Sequence, residues 1–90
     1  MSISLSGKQR KYLRGLAHHL SPVVLIGVKG LSAEQVKAVD EALLAHELIK
    51  VKFLEHKEQK GDLAAAMAEA TGAMVAGIIG NIAILYRPHP

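Results

Sequence analysis

The sequence contains no cysteine and no tryptophan, and its aromatic residues are Tyr12, Phe53 and Tyr86 alone. Without cysteine, disulfide bonds and thiolate metal sites are excluded, and a reducing compartment is the expected environment. With so few aromatic residues the core must be aliphatic, and we expect Tyr12 and Phe53 inside it. No apolar run approaches the ~20 residues that a membrane-spanning helix needs. The stretch MSISLSGKQRKYLRG has no apolar segment behind its positive charges, so we expect no signal peptide and a cytoplasmic location.

What the sequence does contain is a high apolar content and a small excess of positive charge. Half of the 90 residues are apolar, and a chain of this length has no room for two cores, so residues 1–90 are expected to form a single domain. Eleven Lys and Arg residues against eight Asp and Glu give a net charge of +3. Because this excess is mild, the placement of the charges says more than their total.

Hydrophobic periodicity and capping residues predict the order α-β-α-β-α-β-β. The predicted segments are a helix over 7–20 capped by Ser6, a buried strand over 23–26, a helix capped by Ser32 with Gln35 at the capping-box position, a half-buried strand over 48–54, a helix capped by Asp62 and ended by Gly72, and a hairpin turning tightly at Gly80-Asn81. Two βα crossovers imply neighbouring parallel strands, and the hairpin adds an antiparallel pair. The predicted fold class is therefore α/β (α+β), two-layered, with a four-stranded mixed sheet.

Residue patterns typical of catalysis are scarce. The five histidines show no metal-binding spacing, and adjacent His18 and His19 on a helix would point about 100° apart. No carboxylate pair suggests an acid and a base, and no serine lies in a G-x-S-x-G elbow. The loop GVKG lacks the spacing of a P-loop or of a dinucleotide turn. We therefore expect no enzyme activity, no metal, no cofactor and no small-molecule substrate.

The segment Gly27-Val28-Lys29-Gly30 nevertheless joins a predicted strand to a predicted helix in a distinctive way. Glycine at both ends lets another backbone approach closely, and Lys29 adds a mobile positive charge. The following helix would point its free N–H groups at the same space. A G-x-x-G loop that clamps a nucleic-acid backbone is the device of KH domains. Taken alone, the motif favours a simple strand-to-helix turn, because short motifs recur by chance.

The placement of charge favours the nucleic-acid interpretation. The first helix has an entirely basic polar face, and two lysines stand on the outer side of the strand 48–54, whereas the acids concentrate in the second and third helices and the loop 55–62. A solvated surface needs no such separation of sign. The candidate cations beside Lys29 are Lys8, Arg10, Lys11, Arg14, Lys50 and Lys52.

Three blocks of the sequence resemble the bacterial YhbY-like proteins, which are free-standing CRM domains (chloroplast RNA splicing and ribosome maturation). The blocks are SGKQRKYLRGLAHHLSPVVLIGVKGLS, HELIKVKF and IIGNIAILYRP. The resemblance implies an RNA-binding module with a mixed sheet similar to that of the C-terminal domain of translation initiation factor three. It also implies association with precursors of the large ribosomal subunit, since bacterial members show it; plant organellar relatives act in intron splicing. The RNA-contacting loop of the family falls on Gly27, Val28, Lys29 and Gly30.

The sequence thus leads to one hypothesis with two alternatives. We expect a monomeric, cytoplasmic protein that binds ribosomal RNA and assists assembly of the large subunit, with no membrane partner. Because aromatic platforms are few, recognition should depend on RNA shape and backbone more than on bases. The alternatives are a module that docks its basic face on an acidic ribosomal protein, and a protein that binds duplex DNA without sequence preference.

Overall fold

A computed structural model describes residues 5–89 and shows the predicted order of elements with one 3-10 turn added. The elements are α1 (Gly7–Ala17), β1 (Val24–Ile26), α2 (Ala33–Ala45), β2 (Leu48–Phe53), the 3-10 turn Lys57–Gln59, α3 (Lys60–Thr71), β3 (Met74–Ile79) and β4 (Ile82–Tyr86). No helix within this part of the chain has the length and apolar character needed to cross a membrane.

The first two helices begin where the sequence predicts. At α1 the Ser6 hydroxyl accepts from the Gln9 amide at 3.1 Å while the Gln9 side chain accepts from the Ser6 amide at 2.9 Å, a complete capping box. The helix ends at Ala17 rather than at residue 20. At α2, Ser32 is the cap as predicted, but no capping box forms. The Gln35 side chain instead donates to the Leu25 carbonyl at 3.1 Å, which connects α2 to β1.

The third helix begins differently from the prediction. The turn Lys57–Gln59 leads directly into Lys60, so α3 starts ahead of Asp62, which lies inside its first turn and does not cap it. His56, just before this turn, adopts a left-handed conformation with φ of 56° and redirects the chain. The helix ends as predicted at Gly72, whose φ is 71°.

The sheet is mixed and has the order β1-β2-β4-β3. β1 and β2 are parallel neighbours as predicted, but β4 lies between β2 and β3 and is antiparallel to both. The second crossover therefore does not join neighbouring strands, because the hairpin folds its last strand against β2. At the hairpin, Ile79 pairs with Ile82. Only Gly80 of the two turn residues has a positive φ, which excludes the turn type that needs it at both positions.

Helices pack on both faces of this sheet. The larger core lies between the sheet and helices α2 and α3, where Ile49, Val51 and Phe53 of β2 are fully buried as predicted. On the opposite face Leu13 and Ala17 of α1 pack against Ala76 of β3 and Ile84 of β4. The α/β class and the four-stranded mixed sheet are confirmed. The two-layer description is incomplete, because α1 forms a third layer.

Two groups of apolar residues predicted to be buried are not. Tyr12 is 67% exposed, because α1 is turned so that Leu13 and Ala17 face the sheet and Tyr12 lies on its flank. β1 is an edge strand that α1 does not cover, so Leu25 is half-exposed although Val24 and Ile26 are buried. The strand over 23–26 is therefore buried on one face only.

Candidate nucleic-acid interface

The GVKG segment forms a tight turn directly after β1. The Gly30 amide donates to the Gly27 carbonyl at 3.0 Å, which places Val28 and Lys29 at the exposed corners of the turn. Val28 is 80% exposed. Gly30 itself is buried and has φ of 64°, a conformation that residues with a Cβ adopt only at a cost of about 1–2 kcal/mol. The two glycines thus shape the turn, and its tip points into solvent.

His56 holds this turn in place, a role that the sequence analysis missed. Its Nε2 lies 2.7 Å from the Val28 carbonyl oxygen, so the tautomer protonated at Nε2 donates to the tip of the turn. A Cβ on Gly30 would lie 3.4 Å from the same nitrogen. The signal was available in the topology, because loops that follow neighbouring parallel strands leave the sheet at the same edge.

A third segment, the hairpin turn, reaches the same edge of the sheet. The Phe53 amide donates to the Asn81 carbonyl at 2.8 Å, and the Lys60 ammonium donates to the Gly80 carbonyl at 2.6 Å. This edge is not uniformly basic, since Glu55 and Glu58 are exposed on the loop that carries His56. Lys29 is the basic residue of the GVKG turn itself, and Lys60 adds a second ammonium at this edge.

The start of α2 offers fewer free N–H groups to a bound anion than the sequence suggests. The Ser32 hydroxyl accepts a hydrogen bond from the Gln35 amide at 3.2 Å, and the Ser32 carbonyl accepts one from the Val36 amide at 3.0 Å. Glu34 places a carboxylate in the first turn, where it already interacts with the positive end of the helix dipole. An anion near the GVKG turn would therefore interact with Lys29 and the amides of the turn more than with the N-terminus of α2.

Helix α1 carries four of the predicted cations and no carboxylate. Lys8, Arg10 and Lys11 are exposed, and Arg10 also donates to the Leu5 carbonyl at 3.0 Å. Arg14 is half-buried and donates to the Ala76 carbonyl at 3.3 Å, next to the bulge in β3. Its aliphatic stem lies against Gly77: a Cβ at that position would lie 2.6 Å from the Arg14 Cδ, so the arginine side chain would have to move.

The two lysines of β2 differ in their surroundings. Lys52 is exposed, as predicted. Lys50 is half-buried, and its ammonium donates to the Leu20 carbonyl at 3.0 Å and to the His18 carbonyl at 3.4 Å, so it also neutralises the carbonyl-rich end of α1. Since Lys50 pairs with Ile84 and Lys52 with Ile82, Lys52 lies nearer the GVKG turn and Lys50 lies at mid-sheet.

We define the basic surface as the seven candidate cations taken together. They are Lys8, Arg10, Lys11, Arg14, Lys29, Lys50 and Lys52. The ion pairs formed within residues 5–89 are Lys37–Glu41, Arg87–Asp40 and His89–Glu47, and none of them involves the basic surface. Every acid of the chain lies between residues 34 and 69, in α2, α3 and the adjoining loops. Charge is thus separated between the α1 layer and the α2–α3 layer.

Between residues 5 and 89 no group of three histidine, aspartate or glutamate side chains is close enough to hold an ion. What the geometry offers instead is a turn accessible to another backbone and unpaired positive charge extending from it.

Fold and surface together define a small α/β domain with one basic face, and comparison with known proteins places it in a family. The sequence model of the CRS1/YhbY (CRM) domain matches residues 5–87, so the chain belongs to the CRS1/YhbY (CRM) domain family. This confirms the family resemblance of the three sequence blocks.

Relatives from several organisms are similar over nearly the whole chain. Probable RNA-binding protein YqeI of Bacillus subtilis is 40% identical over 84 residues, which cover 92% of this chain and 88% of that protein. A Haemophilus influenzae protein named RNA-binding protein is 44% identical over 86 residues, covering 94% and 87%. The solution structure of SAV1595 from Staphylococcus aureus has a TM-score of 0.85 at 38% identity, covering 96% of this chain and 91% of the other. The relatives are named for RNA binding and not for a catalysed reaction.

Proposed function

We propose that this chain binds RNA through the GVKG turn and the basic surface, acting as a single domain and as a monomer. The observation that carries the proposal is that the six cations of α1 and β2, with Lys29 at the edge of the sheet, form no ion pair with a carboxylate among residues 5–89. Phosphate groups would supply the missing anions. The names of the relatives and membership of the CRM family support RNA as the source of those phosphates.

The turn supplies the first contact. The space beside Gly27 is open, since a Cβ there would meet nothing within 4 Å, so an RNA backbone could lie directly against the peptide. Lys29 at the corner would neutralise a phosphate, and His56 would keep the turn in the conformation that binds. Backbone contacts of this kind position a nucleic acid without reading its sequence.

The cations of β2 and α1 extend the contact from the turn. Lys52 lies next along the sheet, followed by Lys50 and Arg14 at mid-sheet, where Gly77 and Lys50 both pair with Ile84. Lys11 and Lys8 continue over the exposed side of α1. A strand of RNA following these side chains would cross the sheet from its GVKG edge toward the start of α1.

The particular RNA we propose is ribosomal RNA in precursors of the large subunit, with a cytoplasmic, non-catalytic role in assembly. The family resemblance of the sequence blocks supports this choice. The test is sedimentation of cell lysate on sucrose gradients, comparing the wild-type protein with Lys29→Ala and with Lys37→Ala. Lys37 is a matched control because it is an exposed lysine on the acidic layer.

We expect the wild-type protein and Lys37→Ala to sediment with large-subunit precursors, and Lys29→Ala to shift toward the top of the gradient. Association that survives RNase treatment and is unchanged in Lys29→Ala would instead favour docking on a ribosomal protein. Equal affinity of the purified protein for duplex DNA and for structured RNA would favour the DNA alternative. Sedimentation of the wild-type protein at the top would remove the ribosome from the proposal.

A further inference from the structure

A concavity of about 400 Å³ lies on the flank of α1 that faces away from the GVKG edge. Its volume falls within the range of small-molecule pockets. It contains both tyrosines of the chain, and neither the GVKG turn nor the sheet cations contribute to it. The residues that line it are Leu5, Lys8, Gln9, Tyr12, Leu13 and Tyr86.

The chemistry of this concavity fits a planar, uncharged ring carried on an anionic chain. Tyr12 is 67% exposed and Tyr86 is half-buried, so aromatic and aliphatic surface is open to solvent. The Gln9 side-chain oxygen is already held by the Ser6 amide at 2.9 Å, which fixes the carboxamide and leaves its NH₂ group as a donor. Lys8 brings a positive charge, and α1 has no carboxylate to repel an anion. A nucleotide meets both requirements in one unit, because every nucleotide joins a flat ring to a phosphate.

The cations of α1 lead from the sheet to this concavity. Arg14 lines a small hollow with Lys50, Ile79 and Ile82 on the flank nearer the GVKG edge. At about 100° per residue, Arg14, Lys11, Lys8 and Tyr12 follow one another round the helix in steps of about 60°, 60° and 40°. A chain that crosses over α1 along these side chains therefore meets a positive charge at each step and reaches Tyr12 at the end.

The distance also suits a single strand bound at both places. Tyr86 pairs with Leu48 at the start of β2, whereas the GVKG turn follows Ile26, which pairs with Phe53 at its end. Leu48 and Phe53 are five residues apart on β2, so the two sites are separated by about 17 Å along the strand direction. That is well within the 33 Å length of the molecule, so one short RNA segment could occupy both sites.

We propose that the concavity between Tyr12 and Tyr86 receives one unstacked base of the bound RNA. This proposal rests on the proposed RNA binding and adds a base contact to it. Stacking on tyrosine tolerates any base, while the Gln9 NH₂ group favours a base with an acceptor oxygen or nitrogen at the ring edge. It also revises the expectation that recognition depends on RNA shape and backbone more than on bases, since Tyr12 is at the surface and not in the core.

The test combines affinity with the NMR spectrum of the aromatic rings. The probe is a fluorescently labelled single-stranded RNA twelve nucleotides long and of mixed sequence, with inorganic polyphosphate as a base-free anion. Because the chain has two tyrosines, one phenylalanine and no tryptophan, each of these rings is resolved individually. We expect RNA to move the Tyr12 and Tyr86 ring signals upfield, polyphosphate to leave them in place, and buried Phe53 to stay unmoved by either.

In the affinity measurement, Tyr12→Leu should weaken binding by about ten-fold, while Tyr12→Phe should retain it because stacking needs the ring alone. Leu44→Ala is the matched control, an exposed apolar side chain on the acidic layer. RNA that binds without shifting either tyrosine, together with wild-type affinity of Tyr12→Leu, would overturn the base site, leave RNA binding intact and point to a protein partner for the concavity. No binding of RNA by the wild-type protein would overturn both proposals.

Discussion

At the scale of single residues, His56 joins two loops that are distant in sequence. Its own backbone is in the left-handed region at φ of 56°, and its imidazole donates to the Val28 carbonyl at 2.7 Å. The left-handed conformation costs about 1–2 kcal/mol for a residue with a Cβ. The hydrogen bond stabilises the fold by about 1 kcal/mol, so the strain and the contact together are roughly neutral for overall stability. Its consequence is local, because it restricts the tip of the GVKG turn.

We therefore predict that His56→Gly loosens the turn without destabilising the fold. Glycine removes the imidazole and also the strain at positive φ, so the two effects should cancel to within about 1 kcal/mol. Hydrogen exchange of the Gly30 amide should accelerate, because this amide closes the turn at the Gly27 carbonyl. RNA affinity should fall by about two- to ten-fold, since a mobile turn must be ordered on binding.

The variant His56→Ala separates strain from contact. It loses the hydrogen bond but keeps a Cβ at positive φ, so it should lower the free energy of unfolding by about 1–2 kcal/mol relative to His56→Gly. Urea denaturation measures this difference. If Gly30 exchanged at the wild-type rate in both variants, the imidazole would have no part in holding the turn.

At the scale of helices and strands, the sequence predicts what is decided locally. Ser6 and Ser32 cap their helices as expected, and the alternation in β2 buries Ile49 and Val51 as expected. These features depend on residues within a few positions of one another. The contact of His56 with Val28 spans 28 residues, and the identity of these two residues alone does not predict it.

The rotation of α1 about its axis could not be predicted from the sequence, because it also depends on distant residues. Periodicity alone finds an apolar arc that includes Tyr12 and Leu16, yet both are at least half-exposed. Ala17 and Ala76 are small enough to let the helix lie close to the sheet, and Gly77 leaves room for the stem of Arg14. The helix therefore turns its basic side partly inward, and this packing depends on β3, some 60 residues further along. The same rotation brings Tyr12 to the surface.

The difference between the two predicted caps gives a stability test. Ser32 accepts the Gln35 amide, so Ser32→Ala should lower the free energy of unfolding by about 1 kcal/mol. Asp62 lies in the first turn of α3 without capping it, so Asp62→Ala should cost only about 0.3 kcal/mol through the helix dipole. Urea denaturation followed by circular dichroism compares the two variants. Equal losses would mean that α3 begins at Asp62 after all.

At the scale of the whole molecule, the fold sorts charge into layers. The acids of α2 and α3 lie on one side of the sheet and the cations of α1 and β2 on the other, with Lys29 at the edge. A net charge of +3 understates this arrangement, because α1 and β2 carry six of the cations and none of the acids. The long-range field of such a face attracts an anion to one side of the protein.

This separation predicts a steep loss of RNA affinity with salt. Each phosphate neutralised on a single strand contributes about −0.7 to the slope of log K against log salt concentration, so four to six contacts give about −3 to −4. Lys29→Ala should reduce the magnitude of this slope by about 0.7, because one phosphate contact is lost. Lys37→Ala should leave it unchanged, since Lys37 lies on the acidic layer near Glu41. Fluorescence anisotropy of labelled RNA between about 50 and 200 mM salt measures all three slopes. A slope near zero for the wild-type protein would mean that phosphates do not hold the RNA, and the basic surface would then need another partner.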